Sequence, residues 1–325
     1  MISYFDAHCD TIYRCEMTGD NIALDFGAEE AQKAYFARCN CLRENQGHID
    51  LRRGSRFSRY AQIFALFYDA CDPAPDGLWA MCNRLHDRFA QEMELNCDRV
   101  HQCFCGSDVD AAVASGKVAA LLSVEGADLL ECDADRIATV AQWGVKLLNP
   151  VWNRANVLSG TNLEDPDRGL SSKGKDFIRE LEKRCIYADV SHLSDAGFRD
   201  LIKMARRPVV ASHSNSRAVC NHRRNLTDDM FCAIRDTGGV VGLNLYRDFV
   251  GDDSMDTLVA HIEHFLNLGG EKTLCMGGDL DGCESLAAGM QGIQDIPKLY
   301  CALEKRGYPQ MLLENIFWNN LRRLF

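Results

Sequence analysis

Ionisable side chains stand just after short apolar runs at five separated places in this chain. ISYF leads into DAHCD, with His8 and Asp10; VAALLSV leads into SVEGAD, with Glu125. ADVSHLS carries His192, VVASHSNS carries His213, and MGGDLDG carries Asp279 and Asp281. Alternate side chains of a strand share a face, so His8 and Asp10 are expected to project the same way from a strand's C-terminal end. A neutral imidazole beside carboxylates suits a divalent metal, zinc above all. Singly, each residue has a plainer explanation: a histidine bonded to an aspartate, a carboxylate at a helix start, a turn aspartate, a packed histidine. Together, at the ends of five unlinked runs, they argue for one site. Such a set can hold two divalent ions with one carboxylate spanning both. Two ions about 3.5–4 Å apart acidify a water between them and polarise a carbonyl, which is the equipment of a hydrolase. Asp279 then suits a proton shuttle between that water and the leaving group.

The elements that must position these residues can be read from periodicity. Short β-rich runs recur at 2–5, 61–68, 118–124, 145–151, 185–190, 208–212, 238–246 and 273–278. Amphipathic stretches of helical length lie between most of them, at 79–96, 173–184, 194–206, 226–237 and 255–268. Strands alternating with helices imply parallel pairing, and eight such units predict an α/β fold of the closed (β/α)8 TIM-barrel type. A parallel barrel gathers the C-terminal ends of its strands on one face, where the ionisable residues fall. A doubly wound open sheet is the alternative, but no G-x-G-x-x-G follows an early strand. The polar segment 14–58 is expected to hold a helix around 27–38 and a loop covering one face of the barrel. With no repeat or Pro/Gly-rich linker, residues 1–325 read as a single domain.

Composition narrows the function classes. Hydrophobic residues at 46% and charged residues at 26% fit a soluble protein with a substantial core, and no apolar run is long enough to span a bilayer. A formal net charge of −11 argues against a nucleic-acid partner, and the clusters RRGSR and HRRN are too short to reverse it. The 16 cysteines include no C-x-x-C; the pairs Cys39/Cys41 and Cys103/Cys105 read as reduced thiols. No basic region followed by an apolar stretch opens the chain, so no signal peptide and a cytoplasmic location are expected.

The chain resembles the membrane (renal) dipeptidase family, within the metal-dependent amidohydrolase barrels. The resemblance runs through DAHCD, GHIDLRR, SVEGADLL, ADVSHLSDAGFRDLI, PVVASHSNSRAVCNHRRNLTDDM, TGGVVGLNLY, MGGDLDG and NIFWNNLRRLF, nearly the whole chain. It implies two zinc ions, one bound by His8 and Asp10, the other by His192 and His213, with Glu125 bridging. It implies that Arg224 grips a dipeptide's terminal carboxylate, with Arg223 the alternative if the loop register differs, and that Asp279 is the catalytic acid/base. Asp281 is expected to shape the turn. Hydrolysis of dipeptides by a hydroxide bridging the two ions follows, with tolerance of a D-residue at the C-terminal position. A homodimer is common in the family; a lipid anchor is not expected, because RRLF ends without a hydrophobic tail.

One position departs from the family. Where many members carry a histidine after the fourth strand, LLNPVWNRANVLSG has Trp152, with Asn153 and Asn156 matching the family's asparagines. Trp152 and Asn153 are expected to line the substrate. Tryptophan donates one hydrogen bond but neither carries charge nor exchanges a proton near neutral pH. Losing an oxyanion donor costs roughly 10²–10³ in rate. The alternatives are therefore a binuclear hydrolase of another small or cyclic amide, or a silent homologue that binds without catalysis. The pair His261 and His264 in HIEH reads as an exposed helical face, and His48 and Asp50 as loop-folding support.

Overall fold

The computed structural model describes residues 1–17 and 40–325. The helix expected at 27–38 and Cys39 lie outside the described residues. The strands are β1 (Ser3–Cys9), β2 (Arg59–Phe67), β3 (Val100–Gln102), β4 (Val118–Glu125), β5 (Val145–Asn149), β6 (Tyr187–Ala188), β7 (Val210–Ala211), β8 (Val240–Leu243) and β9 (Leu274–Met276). All except β3 fall on the eight apolar runs. They form one parallel sheet in the order β6-β5-β4-β2-β1-β9-β8-β7. A parallel bridge between Asp189 and Val210, with Val190 N–H donating to Val210 O at 2.8 Å, joins the two ends. The fold is a (β/α)8 barrel. Strand β3 pairs with the first residues of β4, ahead of β5 on the same edge, and its three residues VHQ are too short and too polar to announce a strand.

The helices Leu78–Leu95, Ser172–Lys183, Asp195–Met204, Asp228–Asp236 and Met255–Asn267 differ from their expected limits by no more than two residues. Four begin at a hydroxyl side chain, Ser171, Ser194, Thr227 or Ser254, that accepts the N–H three residues on. Each cap satisfies an otherwise unpaired helix donor, and Ser194 does so two residues after His192, fixing that loop's exit.

Strand residues alternate between two cores. Phe5, Ala61, Leu121, Leu147, Val210 and Cys275 pack together inside the barrel, while the other parity packs against the helices. Where strands begin, the C-terminal segment closes the barrel: Trp318, Leu321 and Leu324 join the inner core, and Leu324 O accepts from Tyr187 Oη at 2.6 Å. Where strands end, β7, β8 and β9 approach closely. A Cβ on Gly242 or Gly277 would overlap Ser212 O, so the approach that sets His213 near Asp279 requires glycine at both.

Candidate metal and substrate site

The ends of five strands bring the expected residues together. In β1 the pairing register slips between Asp6 and Cys9, a bulge that re-aims the strand end. His8 Nε2 then lies 3.3 Å from Asp10 Oδ2, on the shared face. Glu125, the last residue of β4, reaches two groups with its two oxygens. Its Oε2 is 3.5 Å from His8 Nε2, while its Oε1 is 2.9 Å from His192 Nε2 and 3.5 Å from His213 Nε2. The Nε2 atoms of His192 and His213 are 3.0 Å apart. Asp279 Oδ1 is 3.9 Å from His8 Nε2. All of these side chains are buried.

The outer nitrogens of the two distal histidines are already engaged. His192 Nδ1 meets Asn153 Oδ1 at 3.0 Å, and His213 Nδ1 meets Ser212 Oγ at 2.7 Å. Those partners leave each Nε2 facing Glu125, the orientation a metal-binding imidazole needs. Asp189, absent from the expected residues, braces both loops. Its Oδ1 accepts from Ser191 N–H at 3.0 Å, Ser191 Oγ at 2.8 Å and Ser212 N–H at 3.1 Å. Its place three residues before His192 in ADVSH is the only sequence signal it offers.

Asp279 and Asp281 adopt left-handed backbone, with φ of 55° and 65°. Aspartate tolerates this conformation better than most residues. The turn is held by Asp281, which accepts from Thr11 Oγ1 and His48 N–H, both at 2.6 Å, while its own N–H donates to His48 Nδ1 at 2.9 Å. Asp50 caps the short helix Leu51–Gly54. Both observations fit the supporting roles expected of these residues.

Arg224 is buried and Arg223 exposed, which decides between the two arginines as the one inside the cleft. The Arg224 guanidinium lies over the Phe249 ring at 5.3 Å, donates from Nη2 to His192 Nε2 at 3.1 Å, and has no partner for Nη1. Trp152 is half-buried, its ring 4.8 Å from that of Phe67 and 6.2 Å from that of His192. The resulting cleft, about 380 Å³, has Tyr13, Phe67, Trp152 and Leu163 among its lining residues, with Tyr246, Phe249 and the ionisable cluster.

One expectation is corrected. His261 is not on an exposed face: it is fully buried, its Nδ1 accepting from Ser216 N–H at 3.1 Å and its Nε2 bonded to Val250 O at 2.9 Å. His264 pairs with Asp228 at 2.7 Å. Helical spacing shows which residues share a face, not what covers it.

The electrostatics fit a cation. Burial pushes the Glu125 carboxyl up to about 7, against the pull of His8. Burial also raises Asp279, with Asp10 adding to the rise. Burial lowers His8 too, but Glu125 and Asp10 outweigh it and hold the imidazole well above its usual range. His192 and His213 fall well below, through burial first and then the positive charge of Arg224 and His8. A divalent ion resolves this crowding, because it takes ionised carboxylates and neutral imidazoles together. Asp10 Oδ1 is buried with no hydrogen-bond partner, an acceptor awaiting a cation. Three overlapping groups have the compactness of ligand sets: His8, Asp10 and Glu125; Glu125, His192 and His213; and His8, His213 and Asp279.

The model of the membrane dipeptidase family, peptidase family M19, matches residues 1–325. This chain belongs to that family. Among its relatives, an uncharacterized protein in the pqqA 5′ region of Klebsiella pneumoniae is 32% identical over 262 residues, 77% of this chain and 95% of that protein. Dipeptidase tcpJ of Claviceps purpurea is 27% identical over 295 residues, 86% of this chain and 68% of that one. A metallopeptidase from Rhodobacter sphaeroides, solved with a phosphinate mimic of L-Ala-D-Ala, superposes with a TM-score of 0.84 at 25% identity, covering 99% of this chain and 98% of that chain. As a membrane dipeptidase family member, the chain is a metallodipeptidase that works with divalent metal, and its buried His, Asp and Glu clusters suit that metal. Among the described residues no helix is long and apolar enough to cross a membrane.

Proposed function

We propose that this chain is a binuclear dipeptidase holding two divalent ions, most fittingly zinc given the imidazole and carboxylate donors. The observation that carries the reading is Glu125, whose Oε2 faces His8 while its Oε1 faces His192 and His213. His8 and Asp10 would hold one ion and His192 and His213 the other, with Glu125 shared between them. When bound, such a pair supplies an acidified water and polarises the scissile carbonyl.

The chain's own residues do the rest. Arg224 binds the free C-terminal carboxylate of the dipeptide through a planar guanidinium whose Nη1 is unpartnered. This selects short substrates, because a longer peptide carries its carboxylate elsewhere. Asp279 receives a proton and passes it from Oδ1 to the departing amine. Trp152 walls the cleft and excludes water, while Asn153 lines it and keeps the His192 imidazole in place. Tolerance of a D-residue at the C-terminal position belongs to this reading, in keeping with the ligand of the Rhodobacter relative. The free thiols of the described residues suit a reducing, cytoplasmic setting.

The Arg224 assignment is tested by pairing each dipeptide with its C-terminal amide. Cleavage of the free acid and at least about tenfold weaker kcat/KM on the amide, a preference erased in Arg224→Met, is expected. Equal cleavage of both by the native protein, with a second small amide preferred, moves the function to another amide bounded by the Trp152 and Phe67 wall.

A further inference from the structure

We propose that Asn244 is a positioning residue for Asp279, holding one carboxylate oxygen so that the other is presented to the reacting atoms. The inference rests on the reading of Asp279 as proton carrier. Asn244 is fully buried just beyond β8, and its Nδ2 donates to Asp279 Oδ2 at 3.0 Å. That bond leaves Asp279 Oδ1 as the oxygen on the His8 side, 3.9 Å from Nε2. The amide cannot be reversed. Its Oδ1 accepts from Tyr246 N–H at 2.6 Å, so only the NH2 group can face Asp279.

Asn244 is itself held by a two-bond clamp. Asn215 Oδ1 accepts from Asn244 N–H at 2.9 Å, and Asn215 Nδ2 donates to Asn244 O at 3.0 Å. Asn215 follows His213 by two residues. The chain Asn215–Asn244–Asp279 therefore links the ends of β7, β8 and β9. Such a brace has a clear purpose here. Main-chain bonds hold the left-handed turn around Asp279, Asp10 N–H donating to Leu280 O at 2.9 Å and Gly282 N–H to Asp279 O at 3.2 Å, but the plane of the carboxylate is left to its side-chain partners. A carboxylate that must take a proton from one side and deliver it to another loses rate if its plane wanders.

The test uses Asn244→Asp in the metal-loaded protein. Aspartate keeps the volume and the acceptor for Tyr246 N–H, removes the donor to Asp279 Oδ2 and the longer contact to His213 O, and sets a second carboxyl against Asp279, so Asn215→Ala, which adds no charge, is read beside it. Kinetics are read on a dipeptide and on its ester counterpart, whose alkoxide leaves with less need of a proton than an amine. The expected result is kcat on the dipeptide lower by about 10–100-fold, a smaller loss on the ester, KM within about twofold and the metal content of the native protein. Asn215→Ala should show the same amide-over-ester pattern at smaller size, and it carries the test if Asn244→Asp does not fold. Native kcat in Asn244→Asp, equal losses on amide and ester, or a loss traced to KM or metal content overturns the inference. Asp279→Asn separates the two layers. If it retains native kcat on the dipeptide, the reading of Asp279 fails; if it is inactive while Asn244→Asp is native-like, only the brace fails.

Discussion

The two ends of the barrel are built from the same strands and solve opposite problems. Where the strands begin, the C-terminal segment fills the opening with Trp318, Leu321 and Leu324, and the ring of Phe5 lies 5.5 Å from that of Trp318. Asn320 Nδ2 there donates to Leu274 O at 2.7 Å and Phe325 O accepts from Gly106 N–H at 2.7 Å, while Arg207 Nη1, the exception, is covered by the face of the Tyr187 ring. Where the strands end, three carboxylates crowd three imidazoles, and Asp10 Oδ1 and Arg224 Nη1 are buried without partners. One end lowers free energy by burying apolar area; the other keeps polar groups unsatisfied for something yet to bind. Stability and function are thus separable along the barrel axis, and substitutions at the two ends should have opposite signatures.

The largest effect is expected at the strand-end face. Asp279→Asn should lower dipeptide kcat by about 10²–10⁴-fold while the thermal midpoint of the metal-free protein stays level or rises, since a buried carboxylate has been removed. A calorimetric scan beside a steady-state assay checks both; a large loss of stability would erase the contrast. Gly282→Ala is expected to be nearly as damaging, because its Cβ would overlap Asp10 Oδ2 and Asp279 Oδ1. Metal analysis after dialysis should show depleted metal, and activity should fall by about 10²-fold or more. At the opposite end, Trp318→Ala should cost about 3–5 kcal/mol in denaturant unfolding yet leave kcat of the folded protein unchanged.

Chelation sharpens the comparison further. At free metal about 100 times its dissociation constant, binding stabilises the native state by about 2.7 kcal/mol, so removing metal should lower the thermal midpoint of the native protein. The shift should shrink in Glu125→Gln, which loses the spanning carboxylate, and persist in full in Trp318→Ala.

The smallest effect concerns His261, which braces the segments after β7 and β8 without lining the cleft. Burial lowers its pKa, so between the unfolded value near 6.5 and the lower folded one the unfolded state binds the extra proton. Its contribution is present above about pH 6.5 and is lost as pH falls below it. His261→Gln should therefore flatten the slope of unfolding free energy between about pH 7 and 5.

These contrasts also explain what the sequence disclosed. Barrel strands announce themselves because both faces are buried, which leaves unbroken apolar runs such as AQIFALFY and VAALLSV. The residues of the candidate site are legible for a related reason: His8, Glu125, His213 and Asp279 interrupt or end those runs where burial alone would favour another hydrophobe. The supporting residues gave no such signal. Asp189, Ser212 and Asn244 are ordinary polar residues near strand ends, and their roles depend on side chains of other strands. The misreading of His261 has the same origin, since its partners, Ser216 N–H and Val250 O, lie on other segments. Trp318 and its neighbours read as a motif, but nothing local says that they plug a barrel.

The most direct measurement is hydrolysis of a dipeptide panel, with L- and D-residues at the C-terminal position, by metal-stripped protein titrated with zinc. Activity that rises to a plateau at two equivalents, and is absent from Asp279→Asn at the same metal content, is the predicted result. A plateau at one equivalent, or two tightly bound equivalents with no dipeptide cleaved, would contradict the binuclear dipeptidase.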